Sequence, residues 1–420
     1  MAADTKASHF LSGKKILVAG AGMGGLSFAL SLHKNWDASI PAPEVRIVDQ
    51  DTRDQGINRE TYSMSLAGTD KDGALLVCRD LGLLEKVTSQ AVEGVDPRLP
   101  FHIWDKNFKS LISMRHKPVD DLPTPAVRIR RPALKTTLIE AAEAQYPISW
   151  STSAGKVEKL PDGRLSVTLV GPDGTETAEC DFLVAADGSN SKIRQHFRPS
   201  DELEYTGAVQ LGGVAEFADG ECPEPLKENM GLLITGDGVG SFFSHIGPGR
   251  MVWGLSKWER DAPRDGYDKT DPKAFADLLD ECREMAKGIA EPMATVIDKT
   301  TDPAFSVVLP ARDKQPFGHQ DGDLPPNIVF IGDANHTVSA FAGNGGNLAI
   351  KDGWDLATEL CKASSATDAV AAYDKLALPR ANKSLKDSRD RMGQCHTSGW
   401  KWTMLKTAIS AGSLFMGSAK

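Results

Sequence analysis

The chain predicts an α/β fold with an inserted antiparallel β-sheet and a helical C-terminal segment. Three observations carry this reading. A short apolar strand runs straight into Gly20-x-Gly22-x-x-Gly25. Two later apolar strands end in Asp187-Gly188 and Gly332-Asp333. Between those two, residues 205–257 read as strands alone, a composition shift that marks a second domain.

Residues 16–19 are apolar and rich in β-branched side chains, as expected of a strand buried on both faces, and residues 26–33 have helical spacing. Strand, glycine turn and helix in that order form a Rossmann-like dinucleotide fingerprint, the alternative being an ordinary glycine-rich turn. Gly20 permits the tight turn, Gly22 lets a pyrophosphate approach the backbone, and Gly25 lets the helix pack on the strand. Met23 and Gly24 complete the turn, where free N–H groups and the helix dipole favour phosphate. A second strand, 44–48, ends at Asp49, whose carboxylate can accept from ribose hydroxyls; residues 35–43 read as a loop insertion between them.

A chain of 420 residues suggests two domains. The formal net charge of −9 argues against binding nucleic acid or anionic membranes non-specifically. The six cysteines are scattered, with no CxxC and no metal-ligand spacing, which suits a reduced, cytoplasmic protein without structural zinc. Residues 1–12 read as a polar tail rather than a signal peptide, and no apolar run reaches the ~18 residues of a membrane span. The apolar segment 407–417 is expected to dock on the protein body, with peripheral membrane contact as the alternative.

Residues 50–59 read as a polar loop whose Arg53 or Arg59 could meet phosphate or simply solvent, and 70–87 as a core-packed helix. Residues 101–104 and 110–115 suggest a β-hairpin, and 117–125 a proline-rich linker. Arg128, Arg130 and Arg131 stand just before a helix whose first turn holds Pro132. A β-meander spans 156–179, with turns at Pro161-Asp162-Gly163 and Gly171-Pro172-Asp173-Gly174. Residues 271–290 are expected to be helical, as are 348–362 and most of 366–417. The first domain is thus discontinuous, 1–88, 118–200 and 305–362. The second takes 89–117 and 201–304, and helices fill 363–420.

Together the three motifs resemble the class A flavoprotein monooxygenases of the para-hydroxybenzoate hydroxylase group, over about residues 13–365. Gly20-x-Gly22-x-x-Gly25 matches the FAD fingerprint. Ala186-Asp187-Gly188-Ser189-x-Ser191-x-x-Arg194 matches the Asp-Gly motif, and Ile331-Gly332-Asp333-Ala334-x-His336 the Gly-Asp motif. Size and helical tail look most like the tetracycline-inactivating and fungal secondary-metabolite enzymes. The resemblance implies a GR2-type FAD/NAD(P)-binding domain. Arg131 would reach FAD, with Arg130 or Arg128 as alternatives. Asp187, Gly188 and Arg194 would support the pyrophosphate and the approach of NAD(P)H; helix capping and a surface ion pair are the structural alternatives. Gly332 and Asp333 would bond the ribityl or ribose hydroxyls. The loop Phe341, Ala342, Gly343, Asn344, Gly345, Gly346 and Asn347 would aim N–H groups at the flavin N1/C2=O edge.

This chain departs from the family pattern at Asn335 and at Thr337-Val338-Ser339-Ala340, which replaces a proline-containing stretch. Val252 stands where tetracycline enzymes look polar, which disfavours tetracycline. The implied cycle consumes NADPH or NADH and O2, and inserts one oxygen into an aromatic or other electron-rich small molecule through a C4a-hydroperoxyflavin. No second GxGxxG follows, so the nicotinamide binds transiently. His102, Gln210, His245 and Trp253 are candidate substrate-orienting residues, with a cavity expected between Trp253 and the Phe341 loop. His336 touches the flavin or makes a strand-end hydrogen bond. Epoxidase, Baeyer–Villiger and dehydrogenase outcomes, and a non-enzymatic flavin sensor, are the alternatives; a monomer or dimer fits equally.

Overall fold

The computed structural model describes residues 9–58, 62–92, 100–218, 222–261, 263, 267–322 and 324–416. Its centre is a parallel sheet in the order Ile328–Phe330 (β17), Phe182–Ala185 (β11), Lys15–Ala19 (β1), Glu44–Val48 (β2) and Ile148–Ser149 (β7). Val18 pairs with Val184 on one side and Ile47 on the other. The period of two then sends its side chains to different cores. Ile16 and Val18 enter one with helices Met23–Asn35 (α1), Arg131–Glu143 (α5) and Gly345–Lys362 (α10). Leu17 and Ala19 enter another, under the meander Ser153–Lys159 (β8), Leu165–Gly171 (β9) and Gly174–Cys180 (β10). Helices α1 and α10 approach closely because both present glycine. A Cβ at Gly353 would stand 2.5 Å from the Gly24 carbonyl oxygen.

The inserted sheet runs Val307–Asp313 (β16), Glu204–Glu216 (β12), Arg250–Trp258 (β15), Val239–Gly247 (β14), Met230–Ile234 (β13), Phe101–Asp105 (β4) and Ser110–Met114 (β5). One face carries Trp104, Leu211, Phe243 and Trp253, buried against Pro272–Met285 (α7) and Met293–Asp298 (α8). The other face looks back toward the first domain. A two-stranded ribbon, Ser63–Ala67 (β3) with Ala126–Arg130 (β6), bridges the two: Leu66, Val127 and Ile129 enter the first core, while the Ser63 hydroxyl donates to the His245 carbonyl oxygen of β14 at 2.9 Å.

Some local expectations need correction. The segment 70–87 is two helices, Ala74–Asp80 (α3) and Leu84–Ser89 (α4), because Gly82 at φ 74° breaks the first. The loop 50–59 holds a short helix, Arg53–Asn58 (α2), and Arg53 is bonded to Glu143 at 3.0 Å; Arg59 lies outside the described residues. The N-terminal segment is anchored from residue 9 on: Leu11 is buried and His9 Nε2 lies 3.0 Å from the Leu360 carbonyl oxygen. After Lys192–Phe197 (α6) and Asp333–His336 (α9), the chain ends in Ala366–Cys395 (α11) and Gly399–Met416 (α12). Helix α11 runs from the first core, at Ala369 and Tyr373, to the inserted sheet, at Met392. Lys406 of α12 reaches Asp105 of β4 at 3.1 Å. No helix among the described residues is long and apolar enough to cross a membrane.

One buried carboxylate joins these parts. Asp352 of α10 accepts from the Gly332 N–H at 3.0 Å, lies 2.5 Å from His336 Nε2 and pairs with Arg380 of α11 at 2.8 Å. Burial opposes its ionisation, but His336 and Arg380 outweigh that and bring its pKa down to about 2. Burial likewise opposes the charge on His336, and Asp352 raises its pKa in spite of it. The Asp352 contribution to stability is present above the ordinary carboxylate pKa of ~3.9 and lost as pH falls through about 2. That of His336 is full below ~6.5 and lost as pH rises through its raised value. Removing one member of a buried pair leaves an uncompensated charge. Arg380→Met is therefore expected to lower unfolding free energy by about 3–5 kcal/mol at pH 6 in urea titrations; a loss below about 1 kcal/mol would show the network to be dispensable.

Candidate functional site

The carboxyl ends of β1, β2 and β11 open onto a cleft lined by Gly20, Gly22, Asp49, Arg131, Lys135 and Asp187, among others. Its floor is set by sterics. Gly20 has φ 113°, and a Cβ there would collide with the Ala186 carbonyl oxygen. A Cβ at Gly25 would collide with the Gly20 carbonyl oxygen and crowd Val18, so the close approach of helix to strand requires glycine there. Gly22 differs: its Cβ would meet nothing nearer than the Ala186 oxygen at 3.8 Å, and so would project into open space. Asp49 holds the turn from below, accepting from the Ala21 N–H at 2.7 Å and the Asp51 N–H at 2.9 Å. A carboxylate has about four acceptor positions, so it retains capacity for a ligand hydroxyl.

Arg131 and Lys135 stand one turn apart on α5, and both line the cleft. Lys135 Nζ donates to the Ala21 carbonyl oxygen, inside the glycine turn. Lys135 is absent from the sequence reading, although its i,i+4 relation to Arg131 was a usable signal. Asp187 and Gly188 form the opposite wall. Asp187 shares the capping of α6: its carboxylate accepts from the Ile193 N–H at 3.4 Å, while Ser191 accepts from the Arg194 N–H at 2.9 Å. One Asp187 oxygen is buried without a partner, and burial raises its carboxyl pKa. Arg194 is neither on the cleft wall nor a surface ion pair. It is 2% exposed, and its three nitrogens donate to the carbonyls of Asp201, Ala334 and Ser189, which clamps the two Asp-containing turns together.

The third motif supplies a second helix N-terminus. Gly332 turns the chain at φ 58°, Asp333 is exposed, and His336 turns inward to Asp352, the strand-end alternative. The departure at Asn335 points away from the cleft: its amide exchanges two hydrogen bonds with the Phe317 backbone, both 3.0 Å. The loop after it is held by α11. Ser388 meets Ser339 at 2.7 Å, Ser384 donates to Asn344 at 2.8 Å and Arg391 donates to the Phe341 carbonyl oxygen at 3.1 Å. These three lie at i, i+4 and i+7 on one helix face, a stripe the sequence reading overlooked, and they fix the loop where the family uses proline. Gly343 takes the left-handed conformation, and Gly345 and Gly346 begin α10. Of Ala342 only the backbone is described. Asn347 does not face outward. Its side chain bonds the Ala67 N–H and the Ser65 carbonyl oxygen of β3, both at 2.8 Å.

Three of the four substrate-orienting candidates lie on the wrong face of the inserted sheet. Trp253 is buried among the helices and donates to Thr300 at 2.8 Å. His102 stacks on Trp104 at 5.2 Å, and His245 turns to the Leu226 carbonyl oxygen at 2.8 Å. The expected cavity beside Trp253 is therefore ruled out, because alternation along β15 sends Trp253 to the core. Gln210 faces the first domain, lying over Gly254. On that face the strand registers line up Ile112, Ile103, Leu232, Phe242 and Gly254, an apolar strip whose four side chains are all partly exposed. The next row toward the C-terminal helices is covered: Cys395 packs at Gly240 and His396 lies 2.8 Å from Ser256.

The cleft fits FAD. It offers two cations and a helix N-terminus for a pyrophosphate, an open position above Gly22 and an unpartnered acceptor on Asp187. Comparison with known proteins agrees. The FAD binding domain family matches residues 14–284 and 325–388. The chain is also 43% identical over 394 residues to the monooxygenase cfoF of Aspergillus candidus, covering 93% of each. The chain belongs to the class A FAD-dependent monooxygenases. This monooxygenase is 28% identical over 366 residues to zeaxanthin epoxidase of Nicotiana plumbaginifolia, covering 84% of its own length but about half, 49%, of that relative. Its fold matches Klebsiella pneumoniae HpxO, solved with FAD and uric acid, at a TM-score of 0.75 and 18% identity, over 96% and 94% of the two chains.

The two glycines of the turn should separate experimentally. Gly20→Ala is expected to fail in folding, since its Cβ has no room in the protein itself. Gly22→Val is expected to fold with a melting temperature near that of the parent but to retain less than about a tenth of the FAD. Flavin absorbance per protein, beside a thermal melt, reads both; full FAD content in Gly22→Val would exclude this turn as the pyrophosphate site.

Proposed function

We propose that this monooxygenase draws electrons from NADPH or NADH and transfers one oxygen atom of O2 to an electron-rich small molecule, foremost an aromatic secondary metabolite. The observation that carries the substrate class is the apolar strip Ile112, Ile103, Leu232 and Phe242 on the face toward the first domain. Such a floor favours a flat apolar molecule, and the end of α11 closes the row beside it. Bound FAD supplies the hydride acceptor and the activation of O2. The residues would hold it as follows. The Gly20, Gly22, Gly25 turn cradles the pyrophosphate, with Met23 and Gly24 opening the helix behind it. Arg131 and Lys135 balance its charge, and Asp49 takes a ribose hydroxyl. Asp187 with Gly188, and Asp333 with Gly332, accept from the sugar and ribityl hydroxyls. The N-terminus of α10, at Gly345 and Gly346, meets the pyrimidine edge of the flavin. Arg194 and Asn347 act as positioning residues through the backbone they hold.

Epoxidation of an alkene is the second reading. It is favoured by the likeness to zeaxanthin epoxidase together with the lack, among the described residues of the strip, of a titratable side chain to activate a phenol. Six scattered cysteines, five of them buried, suit a reducing cytoplasm.

The decisive experiment is anaerobic addition of NADPH, then NADH, to the FAD-loaded protein, with the flavin absorbance followed in time. Bleaching by either, accelerated by an aromatic effector, is the expected result. A flavin that neither nucleotide reduces under any of these conditions would overturn the NAD(P)H reading. Turnover under ¹⁸O₂ should then place one labelled atom in the product; unlabelled product would indicate a dehydrogenase instead.

A further inference from the structure

The apolar strip is met from the other side by one buried cation. Arg128 projects from β6 on the face of the ribbon opposite the first core, since its neighbours Val127 and Ile129 both enter that core. It is 8% exposed. Its guanidinium lies 5.9 Å from the centre of the Phe242 ring, and Phe242 alternates with the core residue Phe243, so Arg128 stands on the open side of the sheet. Its partners are all neutral: Nε donates to the Ser63 hydroxyl at 2.9 Å, Nη1 to the Ser65 hydroxyl at 3.2 Å and Nη2 to the Ser63 carbonyl oxygen at 2.7 Å. A guanidinium has five N–H donors, so each Nη keeps one. No carboxylate among the described residues pairs with it.

A buried charge is costly unless it is paired, and an arginine stays charged where lysine would yield its proton. Burial brings the Arg128 pKa down to about 9, against the opposing influence of the Tyr62 phenol. On the same face of β14, two residues along from Phe242, Ser244 is fully buried and its hydroxyl has no partner. The spare N–H donors of Arg128 at the Phe242 ring and the unpartnered Ser244 hydroxyl thus share one end of an otherwise apolar face. The missing element is an acceptor bearing negative charge.

We infer that Arg128 is the polar anchor of the substrate site, and that the substrate is a flat, mostly apolar molecule carrying one anionic oxygen group, a carboxylate, enolate or phenolate, which binds the two free Nη donors of Arg128 beside Ser244. This rests on the inserted sheet being the substrate floor, as proposed above, and it narrows that reading from electron-rich aromatics to acidic ones. The aromatic body would lie along Phe242, Leu232 and Ile103. A charge-assisted fork of this kind orients a ring in its plane, which an apolar floor cannot do. Arg128 thereby selects which carbon faces the flavin, and it acts by touching substrate rather than by moving protons.

The test uses the FAD-loaded protein and two matched pairs of probes, benzoate with benzamide and 2-naphthoate with 2-naphthamide. Binding is read as flavin absorbance perturbation and as the shift in melting temperature. The parent should bind at least one carboxylate tenfold or more tighter than its amide. Arg128→Gln should lose that preference while keeping FAD affinity within about twofold. Arg128→Lys, read as well in case the glutamine variant does not fold, should keep a weakened preference, because lysine lacks the fork. Equal response to acid and amide in both pairs, absence of response included, overturns the inference. So does an undiminished preference in either variant. Loss of FAD from Arg128→Gln with the carboxylate preference intact would assign the cation to the cofactor instead. Protein that takes up no FAD at all fails the functional reading itself, before any probe is added.

Discussion

Three parts of this chain that are far apart in sequence meet at one carboxylate. Asp352 receives the Gly332 N–H, His336 and Arg380 in a space closed to water. The first ties the end of β17 to α10, the second turns the Gly-Asp segment inward, and the third fastens α11. Because α11 in turn holds the 339–344 loop through Ser384, Ser388 and Arg391, the position of the second helix N-terminus depends on a charge network well behind it. Charged groups inside a protein are costly unless they are paired. Here the pairing is shared among elements, so the 339–344 loop is held by parts of the molecule that lie behind it.

Two glycine turns each open a helix of the first domain. Helix α1 starts at the first glycine turn and α10 at the second, and the two lie against each other through Gly24 and Gly353. A bulkier residue at either contact would splay the helices and move their positive ends apart. Glycine at Gly353 therefore carries information about the cleft, although it lies two turns into α10. The inserted sheet is built on a different rule. There the strict alternation of the pleat assigns one set of side chains to α7 and α8 and the other to the space shared with the first domain.

Much of this was legible in the sequence, and the exceptions share a cause. The dinucleotide turn, the meander, the hairpin and the interruption between the second and third motifs follow from local signals: glycine at fixed offsets, turn residues and apolar periodicity. Cleft residues such as Asp49 and Asp187 were legible because strand ends announce them. The side of the inserted sheet was not. Trp253, His102 and His245 look like binding residues by type, but which face of a strand is inward depends on where α7 and α8 pack, which no short window contains. Arg194 was misread for a related reason. Its partners are backbone carbonyls, which leave no trace in side-chain identity. Lys135 and the serine stripe of α11 were within reach, at helical spacing, but each needed a partner element to give the spacing meaning.

The order of the central sheet has a consequence for how the molecule is made. Strand β1 lies between β11 and β2, while the edge strand β17 and its helix α10 are synthesised only after the whole inserted sheet. At about 5–20 residues per second that delay is on the order of tens of seconds. Through that interval the growing chain carries a parallel sheet without its last strand and a nucleotide turn without the second helix. The inserted sheet, with its own core against α7 and α8, is complete first. The parallel sheet is therefore completed late in the life of each polypeptide, and a chain released early has a finished inserted sheet with an incomplete first domain beside it.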